Sequence, residues 1–470
     1  MATSTAKKSA AKRDRPEFHC AECGWTTVKW VGRCGECQQW GTVVEKNAVA
    51  EPRTVAVAPT ARPAVPIDSV EVAAAAATPT GVSEFDRVLG GGLVPGAVVL
   101  VAGEPGIGKS TLLLDVAGQT ARGGKRVLYV TAEESAAQVR LRAERIGTLH
   151  PLLMLAAETD LGTILGHIEQ VLPDLLIVDS VQTVASVAVE GLAGGVTQVR
   201  EVTSSIIAAA KSRDLPVLLV GHVTKDGNVA GPRTLEHLVD VVCQFEGDRH
   251  TQLRLVRAAK NRYGATDEVG CFELTETGIH SLVDPSRMFI SRVGNEVPGT
   301  CITVTLEGRR PLTTEIQALS MPTAGTHARR TTSGTDSSRL AMNLAVLDRH
   351  LLRGSVGGQD VYVSTVGGAR ASEPATDIAI CLAVVSSVRN EPVQRGLVAF
   401  GEVGLSGDLR PVVGMPRRLA EAARLGFTHA VVPVGAGGGA LGAQNGTIEI
   451  IEVNNVAEAV AVAIPPTASS

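Results

Sequence analysis

Aromatic residues make up only 3 % of this 470-residue chain, against 44 % hydrophobic residues overall. Its cores must therefore be built from Val, Leu, Ile and Ala, and wide aromatic platforms for stacking single-stranded nucleic acid are not expected. Long apolar runs are missing as well. None approaches the roughly 18 residues that cross a bilayer, and the basic N-terminus leads into cysteines and charges where a signal peptide would carry its apolar segment. The expectation is a cytoplasmic protein with no membrane partner. Lysine is absent after Lys260, so no serine–lysine dyad can form within the C-terminal region. A disulfide framework is not in evidence either: four of the eight cysteines cluster as two close pairs, and Cys243, Cys271, Cys301 and Cys381 are scattered through apolar segments. That pattern suits a reducing compartment, with the scattered four as small buried hydrophobes.

The chain is long enough for about three domains. Residues 1–45 read as a basic arm and a four-cysteine module, 46–66 as a linker, 67–285 as one α/β domain and 286–470 as a second. In the arm, Lys7, Lys8, Lys12, Arg13 and Arg15 stand against Asp14 alone, which suits either phosphate contact or a solubilising terminus. The stretch Ala48 to Pro66, rich in Pro, Ala, Val and Thr, has no helical or strand period. Beyond it, the apolar runs Val98 to Val101, Val127 to Val130, Leu175 to Val178 and Val217 to Val220 alternate with helix-length segments, the rhythm of buried parallel strands with crossover helices. The last region has strand-like runs at Cys301 to Leu306, Val361 to Val366, Leu397 to Phe400 and Ala430 to Val434. Thr323 to Ser338, containing Arg329 and Arg330, reads as a mobile loop.

Cys20-Ala-Glu-Cys23 and Cys34-Gly-Glu-Cys37 are two C-x-x-C knuckles ten residues apart. Each presents two thiolates to one tetrahedral ion, and zinc suits that set. A redox dithiol needs only one such pair, beside a helix. Trp25, Trp30 and Trp40, all the tryptophans of the chain, are expected to cover a core too small to fold unaided, and zinc supplies the remaining free energy. Lys29 and Arg33, between the knuckles, make DNA contact plausible.

Gly103-Glu104-Pro105-Gly106-Ile107-Gly108-Lys109-Ser110, followed by Thr111, fits G-x-x-x-x-G-K-[ST] between the strand Val98 to Val101 and the helical run Leu112 to Ala121. Here backbone N–H groups and a helix N-terminus meet phosphate, Lys109 reaches the β and γ phosphates of ATP, and Ser110 ligates magnesium. Asp179, at the tip of Leu175 to Asp179, is the second magnesium residue, acting through water. Glu133 or Glu134, just past the strand Arg126 to Val130, would polarise the attacking water; Glu133 is taken as the base, and Glu134 as a carboxylate at a helix N-terminus. His222 is either a γ-phosphate sensor or a satisfied core histidine.

The four-cysteine module, Thr80-Gly-Val-Ser-Glu-Phe-Asp86 with Leu89-Gly-Gly-Gly-Leu93, the phosphate loop and Lys260-Asn-Arg-Tyr-Gly264 together resemble the bacterial RadA (Sms) family over nearly the whole chain. Tyr263 stands where that family commonly has Phe. The resemblance implies an α/β protein with three parts: an N-terminal four-cysteine zinc module, a central RecA-like P-loop ATPase with a mostly parallel sheet, and a C-terminal Lon-protease-like domain. It further implies a DNA-dependent ATPase and helicase, a ring-forming motor of hexameric type that promotes branch migration in recombinational repair. Its partners would be single-stranded or branched DNA and the RecA recombinase, at the nucleoid. By analogy with K-x-R in related ring motors, Lys260 and Arg262 would act on the ATP of a neighbouring subunit; a solvated basic turn or a DNA contact is the alternative.

The C-terminal region is similar to the proteolytic domain of Lon at Gly367-Gly368, Glu373-Pro374, Gly401-Glu-Val403, Gly407, Pro411-Val412 and Gly414. Ala375 stands where Lon has its serine and Pro416 where it has its lysine, which implies a scaffold without protease chemistry. A DNA-stimulated motor, an ATP-dependent protease or unfoldase, and a RecA-like filament that does not unwind DNA are the three readings. The missing dyad counts against the second.

Overall fold

The computed structural model describes residues 18–45, 66–69, 76–222, 235–247, 252–290, 297–325, 327–436 and 448–465. The basic arm with Lys7, Lys8, Lys12, Arg13 and Arg15, and the linker up to residue 65, lie outside the described residues. The chain divides into two compact units, residues 1–71 and 72–470.

In the first unit, β1 (Phe18–Cys20) pairs antiparallel with β2 (Thr26–Thr27) on one side and β3 (Val43–Glu45) on the other. Among the described residues its core holds only Cys20, Cys34 and Val43, with Phe18, Trp25, Val31 and Cys37 against them. That is far too little apolar area to fold alone, and small domains of this kind depend on a metal. Of the three tryptophans, Trp25 alone covers this core; Trp30 and Trp40 are exposed.

The second unit begins with α1 (Ser83–Leu89), β4 (Val98–Gly103), α2 (Lys109–Arg122), β5 (Val127–Thr131), α3 (Ala136–Arg145), β6 (Leu153–Ala157), α4 (Leu161–Val171), β7 (Leu175–Asp179), α5 (Val196–Arg213), β8 (Val217–His222), β9 (Val241–Gly247), β10 (Leu253–Asn261), β11 (Val269–Thr275) and β12 (Gly278–Ser281). The nine strands form one sheet in the order β12-β11-β10-β9-β4-β8-β7-β5-β6. From β9 to β6 the pairings are parallel. From β9 to β12 they are antiparallel; the sequence marks a late strand at Gln252 to Val256, within β10, but not the antiparallel pairing of this extension. Alternate side chains of β4 serve opposite faces, as strand geometry requires. Val99 and Val101 pack with Leu112 and Leu113 of α2, whereas Val98, Leu100 and Ala102 pack with Val202 and Ile206 of α5. Cys243 and Cys271 are buried in this region, and burial pushes both thiols up to about 12.

The same unit continues with β13 (Thr300–Glu307), β14 (Arg310–Pro322), β15 (Arg330–Ser333), α6 (Ser337–Leu347), β16 (Gln359–Thr365), α7 (Asp377–Arg389), β17 (Leu397–Ala399), β18 (Glu402–Val403), β19 (Leu409–Arg410), α8 (Met415–Arg424), β20 (His429–Pro433), β21 (Glu449–Val453) and α9 (Val456–Ala463). Seven of these strands make a second sheet, β15-β16-β14-β13-β17-β20-β21. Helix α7 is apolar nearly all round, with ten consecutive residues, Asp377 to Ser386, buried, and lies between the sheet and α6 and α9; α8 covers the other face with Leu419 and Ala422. The second half of the stretch Thr323 to Ser338 is not a free loop. Arg330 to Ser333 add β15 parallel to β16, and Asp336 caps α6 by accepting from the Arg339 N–H at 2.8 Å. Its Thr and Ser content reads as strand-edge and capping chemistry once a partner strand is present. Among the described residues no helix is long and apolar enough to cross a membrane.

Candidate nucleotide site and zinc ribbon

Parallel strands order β4, β8, β7 and β5 side by side, so their C-terminal tips share one edge of the sheet, where ligands of open α/β sheets bind. The phosphate loop leaves β4 there. Gly106 and Gly108 adopt φ of 77° and 115°, a region closed to most side chains, and a Cβ on Gly103 would meet the Phe245 carbonyl oxygen at 2.7 Å. Helix α2 starts at Lys109, so the N–H groups of its first turn have no intrahelical partner. Lys109 is 3 % exposed, and its ammonium donates to the carbonyls of Gly103 and Glu104, each at 2.9 Å. Among the described residues no carboxylate lies within ion-pair distance of it. Burial pushes its pKa below the usual lysine value, with Asp179 and Glu133 opposing. A buried cation without a paired anion, in a cradle of backbone donors, fits a polyphosphate.

The tips of β5, β7 and β8 supply the acidic side. Asp179 is buried and accepts from the Tyr129 hydroxyl at 2.7 Å; its peptide bond to Ser180 is cis. Glu133 reaches back over the sheet edge: Oε1 accepts from Ser180 Oγ and lies 3.1 Å from His222 Nε2. His222 foremost, then Ser180 and the charge of Lys109, hold the Glu133 carboxyl below its ordinary pKa against partial burial. The neighbouring Glu134 turns elsewhere and pairs with Arg142 of α3, so its partner is a side chain and not the helix N-terminus. That terminus is closed by the Ser135/Gln138 capping box. Arg254 had no motif to announce it: buried on β10, it donates from Nε to the Ile107 carbonyl at 3.1 Å and so braces the phosphate loop.

Lys260 to Gly264 stand at the opposite edge. Strand β10 runs antiparallel to β9 and ends beside Val241, where β9 begins. The five steps between the six residues of β4, at about 3.3 Å each, therefore separate this motif from its own phosphate loop by roughly 17 Å. Lys260 donates to the carbonyls of Glu236 and Val239 at 2.7 and 2.8 Å. Arg262 is 55 % exposed and reaches Asp240 Oδ1 at 3.3 Å. Asp240 is buried, which raises its pKa, yet Lys211, the Val98 N–H and Arg262 outweigh that and hold it low. Asn261 Nδ2 lies 3.3 Å from the Leu89 carbonyl, and Gly264 packs on Gly90. Two motifs remote in sequence are thus stapled together.

In the ribbon, Cys20, Cys23, Cys34 and Cys37 bring their sulfurs within 4.8 Å of one another. The Cys20–Cys37 and Cys23–Cys34 separations are 3.7 and 3.5 Å, close to the edge of about 3.8 Å expected for a tetrahedron with Zn–S near 2.3 Å. A Gln39 N–H lowers the Cys37 thiol, but burial and the three other sulfurs push it up to about 12. Four thiolates gathered this closely call for a cation, and the donor set fits zinc.

Ala375 is buried in the turn before α7, and Pro416 opens α8. Beside them the fully buried Arg418 forks onto Glu373, Nη1 to Oε1 at 2.8 Å and Nη2 to Oε2 at 2.7 Å, while Glu373 also accepts from the Leu306 N–H. Glu373, part of the Lon-like signature, is partly exposed, and its bidentate pairing braces the buried Arg418.

Comparison with known proteins agrees with this layout. Residues 18–45 match a rubredoxin metal-binding domain, residues 78–152 the KaiC ATPase family, and residues 367–436 the ChlI subunit of Mg-chelatase. A DNA repair protein RadA from Mycolicibacterium smegmatis is 51 % identical over 96 % of this chain and 97 % of its own length. One from Mycobacterium tuberculosis is 54 % identical over 89 % and 88 %, and one from Streptococcus pyogenes 43 % identical over 90 % and 94 %. With its zinc ribbon, RecA-like ATPase sheet and C-terminal α/β domain, the chain belongs to the family of RadA DNA repair proteins.

Proposed function

We propose that this protein is a DNA-stimulated ATPase that assembles into a ring, hexameric by analogy with the motors it resembles, and moves on single-stranded or branched DNA to extend recombination intermediates beside the RecA recombinase. Lys109 and the first-turn N–H groups of α2 hold the β and γ phosphates of ATP. Ser110 and Asp179 would hold magnesium, which neutralises phosphate charge. Glu133, kept anionic by His222 and Ser180, takes the proton of the attacking water, a contribution of about 10² to 10⁴ in rate.

One observation carries the ring reading: Arg262 is exposed at the sheet edge away from its own phosphate loop. It cannot serve its own nucleotide, yet an adjacent subunit could present a γ phosphate to it, and Lys260 beside it could join by exchanging its carbonyl partners for that phosphate. An arginine supplied in this way contributes about 10³ to 10⁵ in rate.

Mixing variants tests this. Lys109→Ala chains keep Arg262 but lack a working pocket, and Arg262→Ala chains keep the pocket but lack the finger. ATPase should return in part when the two are mixed; none returning despite demonstrated subunit exchange would end the trans assignment. Electron microscopy with an ATP analogue and single-stranded DNA should show closed rings, and filaments would favour the non-unwinding reading instead.

A further inference from the structure

All three tryptophans of the chain lie in the zinc ribbon, but only Trp25 serves its core, packed so tightly under Gly35 that a Cβ there would meet its ring at 2.7 Å. Trp30 and Trp40 are 63 % and 74 % exposed. They are also neighbours. A Cβ on Gly32 would sit 3.7 Å from Trp30 and 3.8 Å from Trp40, so the bare glycine leaves the space bordered by both rings open. Arg33 forms a backbone bridge with Trp40, anchors its Nε on the Gln38 carbonyl at 2.8 Å, and holds its guanidinium 5.7 Å from the centre of the Trp40 ring. Lys29 precedes Trp30. Among the described residues no carboxylate lies within ion-pair distance of Lys29 or Arg33.

We propose that Trp30 and Trp40, flanked by Arg33 and Lys29, form a stacking site for the unpaired bases of single-stranded DNA. Exposed indoles offer a flat face to any base, and the adjacent cations meet the phosphates that join the bases. Neither ring is needed to close the ribbon core, so a structural duty does not account for them. A duplex hides its base faces within its own stack, and the site should therefore discriminate against it. The platform is only two rings wide, in keeping with a chain so poor in aromatics. This deepens the DNA-motor reading and rests on it only in taking DNA as the ligand.

Because every tryptophan is in the ribbon, the intrinsic tryptophan fluorescence of the full-length protein reports on this module alone. Oligothymidylate and a duplex hairpin would each be titrated in, with overall binding followed separately by anisotropy of a dye-labelled copy. Oligothymidylate should quench the emission saturably and the hairpin should not. The double variant Trp30→Ala, Trp40→Ala should bind oligothymidylate at least about tenfold more weakly, since stacking is worth about 1–3 kcal/mol per base, while zinc content stays unchanged. If that variant loses zinc, Lys29→Gln with Arg33→Gln decides: the slope of log affinity against log salt should shrink by about 1 to 2. Bound oligothymidylate with unchanged emission, equal quenching by the hairpin, or an unaltered salt slope would overturn the proposal and leave the DNA-motor reading intact. No anisotropy change with any DNA would remove both.

Discussion

Arg310, at the start of β14, donates from Nη1 to both carboxylate oxygens of Glu84, at 3.2 and 3.0 Å, across 226 residues of sequence. Both side chains are buried. Glu84 opens α1 of the ATPase sheet and also accepts from the Cys271 N–H at 3.0 Å, while Arg310 reaches the Leu282 and Val283 carbonyls. Nearby, Arg257 joins Glu246 to Glu307, and a Cβ on Gly308 would lie 2.2 Å from the Asp267 carbonyl oxygen. The turn between β13 and β14 is thereby pinned to the ATPase sheet.

Arg310→Ala should destabilise residues 72–470 by about 2–4 kcal/mol, because buried Glu84 would lose its closest cation and keep only the half-exposed Arg87 at 3.5 Å and the Cys271 N–H. Pairing it with Glu84→Gln should recover much of that. Urea unfolding checks both, and a loss under about 1 kcal/mol in the single variant that persists when Arg87→Ala is added would show that the pair is not buried in solution.

Lys109→Ala should abolish turnover and weaken ATP binding, whereas Glu133→Gln should bind ATP normally and hydrolyse it about 10² to 10⁴ times more slowly. Single-turnover hydrolysis and equilibrium nucleotide binding separate the two effects. Full activity in the Glu133 variant would remove it as the base.

The pH profile should also respond to His222. Its hydrogen bond is the largest influence lowering the Glu133 pKa, and a lowered carboxyl stays anionic further into acid. His222→Phe removes that contact, so the pKa should rise and the acid limb of the hydrolysis rate should move to higher pH. An acid limb that stays in place would show that His222 does not act through Glu133.

One zinc per chain is expected. Cys20→Ser or Cys37→Ser should lose it and unfold residues 18–45, since losing one thiolate opens the tetrahedron. ATP binding should persist, because the nucleotide site lies in residues 72–470. Metal analysis with nucleotide titration reads both, and a zinc content near zero in the wild type would refute the assignment.

Much of this layout was legible because it is written locally. The glycines and Lys109 of the phosphate loop act within one turn between a strand and a helix, and two C-x-x-C knuckles close on a metal with few residues between them. Apolar runs such as Leu175 to Val178 marked buried strands because both faces of a parallel strand are covered. Gln252 to Val256 reads as a late strand, but its antiparallel place in the sheet is not legible because β10 mixes polar and apolar side chains, and Arg330 to Ser333 read as loop because β15 exists only once β16 is beside it.

By itself the sequence determined the donor sets, four thiolates and a phosphate-binding loop, and the absence of a serine–lysine dyad, since residue type and short spacing suffice for each. Only the tertiary structure decided which partners those groups meet. Glu133 turns to His222 and Ser180 while Glu134 turns to Arg142; Arg418 seizes Glu373; Trp30 and Trp40 face solvent while Trp25 goes inside. Each outcome depends on strand order and register, which bring together residues tens to hundreds of positions apart, and no local spacing encodes that.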